Sequence, residues 1–267
     1  MPVAPRWLFY GLPFFLFPVD ALAWGLQTHL YFAQHLLFAV PLLDPELRRA
    51  ALKYPRLVLA GACLPDLALA GGALGIPVFR RTHRWSSLRR LSATTCDEER
   101  AVAMGYASHL LTDVVAHNRF VPEHEDRVLE VAHATHALCE WAMDDYLRGW
   151  VCAAPGELLG AERRTLAAII APRWRCEERL ALRVIDWLAG ADRLLRASRL
   201  PRLCRSVLQL FERRYAPRFE AYVRETSVLL AQVGPALDGL QPAGEPEPED
   251  PGASWRAGKL ALPQTLL

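Results

Sequence analysis

Only two of the 31 cationic side chains are lysines, Lys53 and Lys259, and the 29 carboxylates leave a formal net charge of +2. A balance so near neutral gives no electrostatic footprint for nucleic acid, and no stable nucleic-acid complex is expected. Six cysteines occur (Cys63, Cys96, Cys139, Cys152, Cys176, Cys204), but no two are spaced CxxC. That excludes a thiolate zinc knuckle and a thioredoxin-like redox pair. HExxH, GxSxG, a P-loop and a His-Asp dipeptide are all missing. With them go the zincin proteases, the nucleophile-elbow hydrolases, the P-loop NTPases and the helical phosphohydrolases that carry His-Asp. No stretch alternates in hydrophobicity for long enough to build a sheet. The apolar run from Trp7 to Val19 holds two prolines and falls short of the roughly 20 residues that span a bilayer.

That run does have a different use. One cation (Arg6) precedes it, and the small-residue triplet Ala21-Leu22-Ala23 follows, which is the three-part pattern of a secretory signal. Cleavage after residue 23 exports the chain and makes Trp24 the first residue of the mature protein. Retention of residues 1–23 as an anchor is the alternative. Removing them takes away Arg6 and Asp20 and leaves the net charge unchanged. An exported chain can pair six cysteines in 15 ways, while apolar surroundings such as Ala62-Cys63-Leu64 equally suit a buried thiol.

The remainder reads as helix after helix, a single all-α domain over residues 24–234. Trp24 to Val40 has helical spacing, and Asp44-Pro45-Glu46 supplies a cap, a first-turn proline and an early acid for a second helix. Arg56 to Ala70 reads as a third. Thr95-Cys96-Asp97-Glu98 is spaced as a capping box for a helix that runs to Phe120, and Pro122 opens another. Arg-rich amphipathic segments follow near 161–171, 176–197 and 201–233, broken by Pro172, Pro201 and Pro217. From 235 to 267 the chain, which includes PAGEPEPEDPGAS, lacks the apolar content to pack and reads as a flexible tail.

The chemistry concentrates in GYASHLLTDVVAHNRF, residues 105–120. His109, Asp113 and His117 follow one another at steps of four, so a helix carries them along one side among Leu110, Leu111, Val114 and Val115. A carboxylate on so apolar a helix is costly to bury without a counter-charge, and a metal cation between imidazoles is one. The pattern recurs in HATHALCEWAMDDY, where His136 and Glu140 are again four apart, with His133 a turn before and Asp144 a turn after. Nitrogen and carboxylate donors without cysteine suit zinc with open coordination positions, and leave manganese or iron as options.

Taken in order, Trp24 and His29 behind a cleavage site, Pro65-Asp66, His83, His109 with Asp113, His117, then His136 with Glu140, resemble the bacterial zinc-dependent phospholipase C family. Its site is shared with the P1-type nucleases. The resemblance implies an all-α multi-helix fold and up to three zinc ions. One is held by Trp24, through its terminal amine and carbonyl, and by His29; it shares Asp113 with a second held by His83 and His109. Asp66 contacts that second zinc or acts as the general base, and His117, His136 and Glu140 hold the third. The implied activity is hydrolysis of phospholipid headgroups or another phosphodiester by metal-activated water, with transient contact to a membrane surface. Gln27 and Leu67 stand where choline-specific members carry an acid and a tyrosine, so no choline preference is expected. The alternatives are a nuclease acting on single strands, and a non-catalytic helical protein anchored at a membrane.

Overall fold

The structure is a computed structural model that describes residues 25–39, 43–125, 132–211, 215–241 and 244–246, with side chains left undescribed from 124 to 136. Trp24 and the expected signal lie outside these residues. So do the side chains of His133 and His136. Among the described residues every regular element is helical.

In chain order the α-helices are α1 (Leu26–Phe38), α2 (Pro45–Lys53), α3 (Pro55–Gly61), α4 (Leu67–Ala73), α5 (Trp85–Ser92), α6 (Asp97–Val115) and α7 (Val121–Glu125), then α8 (Ala132–Leu147), α9 (Pro155–Trp174), α10 (Glu178–Ala197), α11 (Leu200–Phe211), α12 (Tyr215–Leu229) and α13 (Val233–Leu237). Helix α6 is the axis of the domain: all but its first turn is buried, and α1, α2, α3, α5, α12 and α13 all pack on it. One continuous apolar core runs from Leu26 to Ala236. None of the six cysteines forms a disulfide among the described residues.

Several local expectations change. The segment from Arg56 to Ala70 is two helices, because Pro65 cannot continue α3 and a turn through Asp66 separates it from α4. Pro172, by contrast, lies inside α9, which ends only at Trp174 under a left-handed Arg175. Pro217 sits in the first turn of α12, where a missing N–H is harmless. Asp44 caps α2 by accepting from the N–H groups of Glu46 and Leu47 (both 3.0 Å). At α6 the capping box does not form. Thr94, one residue earlier, accepts from the Cys96 N–H (3.1 Å) and donates to Glu99 instead. Helix α13 continues past residue 235 to Leu237, with Ala236 buried against the domain.

A close crossing sets the centre of the molecule. A Cβ added to Gly105 on α6 would lie 1.9 Å from the Val58 carbonyl oxygen on α3, and one on Gly61 would lie 2.3 Å from the Val102 oxygen. Two glycines therefore let the backbones of α3 and α6 touch. This brings the carbonyls at the end of α3 against the face of α6 that bears His109.

Candidate metal centre

Five of the residues singled out in the sequence converge on α6. His29 comes from the first turns of α1 and Asp66 from the turn entering α4. His83 comes from the loop before α5, and His109 and Asp113 from α6 itself. All are buried, and His29, His109 and Asp113 are 0 % exposed. Asp113 Oδ1 lies 3.3 Å from His29 Nε2, and Oδ2 lies 2.9 Å from His109 Nε2 and 3.7 Å from His83 Nε2. Asp66 Oδ1 is 3.1 Å from His83 Nε2. The rings of His29 and His109 stack at 3.4 Å between centroids.

The packing that aims these groups is mostly backbone chemistry. His109 Nδ1 lies 2.7 Å from the Ala62 carbonyl oxygen. A carbonyl can only accept, so Nδ1 carries the proton and a neutral ring turns a bare Nε2 toward Asp113. The loop bearing His83 is pinned by Thr82, whose hydroxyl donates to the Phe79 carbonyl (3.1 Å) and whose own carbonyl accepts from the buried Tyr106 hydroxyl of α6. Asp144 on α8 accepts from Thr28 N (2.8 Å) and Thr28 Oγ1 (2.7 Å), and so caps α1 from 116 residues away. It extends the line of candidate ligands on α8 in the sequence, but in the fold it holds the helix that presents His29.

His117 and Glu140 sit together at one side, Nε2 to Oε1 4.0 Å. His117 is four residues past Asp113, but a π-helical turn over Ala116–Phe120 separates the two. Wide turns of this kind recur at functional sites.

Electrostatics explain what the cluster needs. Burial alone would raise the Asp113 carboxyl, but positive charge at the positions of His109 and His29 outweighs it and holds the group below the usual carboxylate range. Burial, with His109 second, pushes His29 well below its ordinary value, and burial lowers His117. Glu140 is raised well above the usual range by burial and then by Asp113, Asp66 and Asp144. His29 and His117 therefore favour their neutral form beside carboxylates. Among the described residues no hydrogen bond reaches either oxygen of Asp113, either nitrogen of His29 or Nε2 of His109. Orphaned polar atoms at zero exposure are rare in native proteins.

Cations beside the two Asp113 oxygens would satisfy both of them together with His29 Nε2 and His109 Nε2. Zinc bonds of about 2.0–2.2 Å in a tetrahedron put neighbouring donors about 3.3–3.6 Å apart. The spacings around Asp113, 2.9–3.7 Å, bracket that edge. Two donor triplets lie within 4.8 Å, His29/Asp66/His109 and His83/His109/Asp113. The donor set thus fits zinc, with the two oxygens of Asp113 facing different histidines.

Sequence reasoning did not find the Ala62 carbonyl, Thr82 and Tyr106, or the capping role of Asp144. The first three act through backbone carbonyls that no residue type announces. Comparison with protein families bears directly on the site: the model of the zinc-dependent phospholipase C family matches residues 28–183, more than half of the chain, and spans every candidate ligand except Trp24. No curated protein and no solved structure matches the chain. With buried His/Asp groups arranged as a metal site and that match across them, the chain belongs to the zinc-dependent phospholipase C family, a family of zinc hydrolases that act on phosphodiesters.

Proposed function

We propose that this chain is an exported enzyme that cleaves phospholipid headgroups, with its zinc ions held by Trp24, His29, Asp66, His83, His109, Asp113, His117, His136 and Glu140. The observation that carries the reading is Asp113, a fully buried carboxylate whose two oxygens face His29 on one side and His109 and His83 on the other. Zinc held there supplies a Lewis acid for the phosphoryl group and lowers the pKa of water. Asp113 would hold zinc through its two oxygens together with His29, His83 and His109, and the Ala62 carbonyl keeps the His109 proton on Nδ1. Asp66 faces His83 within hydrogen-bonding distance and accepts the proton released from the attacking water. The buried position of these groups excludes bulk water and strengthens each electrostatic contact.

A preference for choline is not expected. Gln27 replaces the acid of choline-specific members and accepts a hydrogen bond from Arg196, which also pairs with Asp192. Contact with a lipid surface is assigned to the edge where Gln34 of α1 bonds the Trp150 carbonyl (3.0 Å). Phe38, one turn beyond Gln34, is 72 % exposed, Trp150 is 69 % exposed, and the exposed Arg148 stands beside it. Exposed aromatics beside a cation suit a headgroup layer.

The experiment compares a chain that begins at Trp24 with one that carries an extra residue before it, both assayed for bound zinc and for hydrolysis of a phospholipid panel. About three zinc ions and activity in the first, with fewer ions and reduced activity in the second, is the expected result. Equal zinc in both chains refutes the terminal ligand, and turnover of single-stranded nucleic acid in place of lipids refutes the substrate.

A further inference from the structure

The tripeptide Gly244-Glu245-Pro246 lies far outside the residues that the family model matches, yet it packs on the metal centre. Two of its carbonyls accept hydrogen bonds there. The Gly244 oxygen takes one from Trp85 Nε1 (3.2 Å), and the Glu245 oxygen takes one from Asn118 Nδ2 (2.9 Å). The buried Pro246 carbonyl faces the His117 ring. Trp85 stands two residues after His83, and Asn118 directly follows His117. Pro246 is buried whereas Glu245 is exposed, so the segment enters from the surface. Gly244 has φ 119°, a backbone conformation that side-chain-bearing residues rarely adopt.

We propose that residues 244–246 are a positioning element of the metal centre: the Pro246 carbonyl holds the His117 ring so that Nε2 is turned toward Glu140 and the ion the two share. The proposal rests on the three-zinc reading above. The 4.0 Å from His117 Nε2 to Glu140 Oε1 is about half an ångström longer than the edge between two donors to one zinc. Histidine ligands characteristically donate their second ring N–H to a carbonyl or carboxylate, which fixes the tautomer and raises the basicity of the bonding nitrogen. His109 meets this need with Ala62 from within the helical domain. His117 meets it with a carbonyl from the chain's far end. Anchors on Trp85 and Asn118 keep that carbonyl in place, and Asn118 is itself tied to the Val114 carbonyl of α6 (2.9 Å).

Four proteins test this: the full chain, one ending at Asp250, one ending at Gln241, and the full chain with Gly244→Val. Zinc affinity is measured by competition with a chelator, coordination by the electronic spectrum after cobalt replaces zinc, and the His117 tautomer by nitrogen NMR of the metal-free proteins. The chain ending at Gln241 and Gly244→Val should bind one ion about 10- to 100-fold more weakly, with a changed cobalt band and unchanged helicity. In both, the His117 ring should lose its preference for the form with a bare Nε2, which the full chain and the chain ending at Asp250 keep. Equal zinc affinity and an unchanged tautomer in all four overturn the proposal. So does a higher kcat/KM at unchanged zinc content in the chain ending at Gln241, since the segment is then a plug. Zinc missing from every chain refutes the reading of the site, while the NMR result separately reports whether the carbonyl sets the ring.

Discussion

Gly105→Ala puts the close crossing of α3 and α6 to the test. The added Cβ lies 1.9 Å from the Val58 oxygen and 2.7 Å from the Ala62 nitrogen, and ordinary contact begins near 3.4 Å, so the helices must separate by about 1.5 Å. Overpacking of that kind costs about 1–3 kcal/mol. For a domain of this size each kcal/mol is about 2–4 °C, so the melting temperature should fall by roughly 2–12 °C. The separation also carries the Ala62 carbonyl away from His109 Nδ1, now at 2.7 Å, and beyond hydrogen-bonding range. Loss of an orienting partner lowers metal affinity about 10- to 100-fold. The assay pairs thermal unfolding with zinc competition, and Gly160→Ala is the control, because nothing lies within 4 Å of its added Cβ. A Gly105→Ala protein with unchanged melting temperature and zinc affinity refutes the argument that this crossing positions His109.

Asp144→Asn tests the remote cap. Burial, partly offset by Arg196 and Thr28, lifts the Asp144 carboxyl to about 6. Its folded value lies above its unfolded one, so the folded protein binds the extra proton and stability declines as pH rises from about 4 to about 6, then levels. Denaturant unfolding across that range should show the slope in the parent and lose it in Asp144→Asn, which keeps an acceptor for Thr28. Trp150→Ala should lower hydrolysis of phospholipid vesicles several-fold while sparing a soluble short-chain substrate; equal loss on both would show that Trp150 does not work at the lipid surface. In the folded protein a thiol reagent should modify the exposed Cys96 and Cys152 and spare Cys63, Cys139 and Cys204. Burial raises Cys63 well above its ordinary value and Cys204 to about 12, so labelling of either before unfolding would contradict the packing.

The helical class was legible because apolar residues recur at helical spacing throughout, and the site because imidazoles and carboxylates are conspicuous on such helices. His109 and Asp113 are four apart and on one helix, which sequence spacing reads directly. His29, Asp66 and His83 reach the same point only through tertiary packing, so the resemblance, and not spacing, gathered them. Backbone groups escaped altogether. The Ala62 carbonyl works because two glycines let helices touch, and neither glycine signals a partner in the sequence. The capping role of Asp144 was hidden for a related reason, since an acid on a ligand-bearing helix looks the same whether it faces an ion or a helix end 116 residues away. Thr94 and Thr95 are adjacent threonines, and only the local turn decides which serves α6.

Asp113 and Glu140 are buried beside His29 and His117, which burial keeps neutral, so this part of the interior draws its positive charge from an outside source. Acquiring the fold and capturing the ion then become one equilibrium, with each zinc bound contributing to stability by mass action. The yield of native protein should therefore follow the free zinc of the compartment in which the chain folds. A cell short of zinc would lose this enzyme through turnover of unfolded chains before it lost activity from any finished molecule.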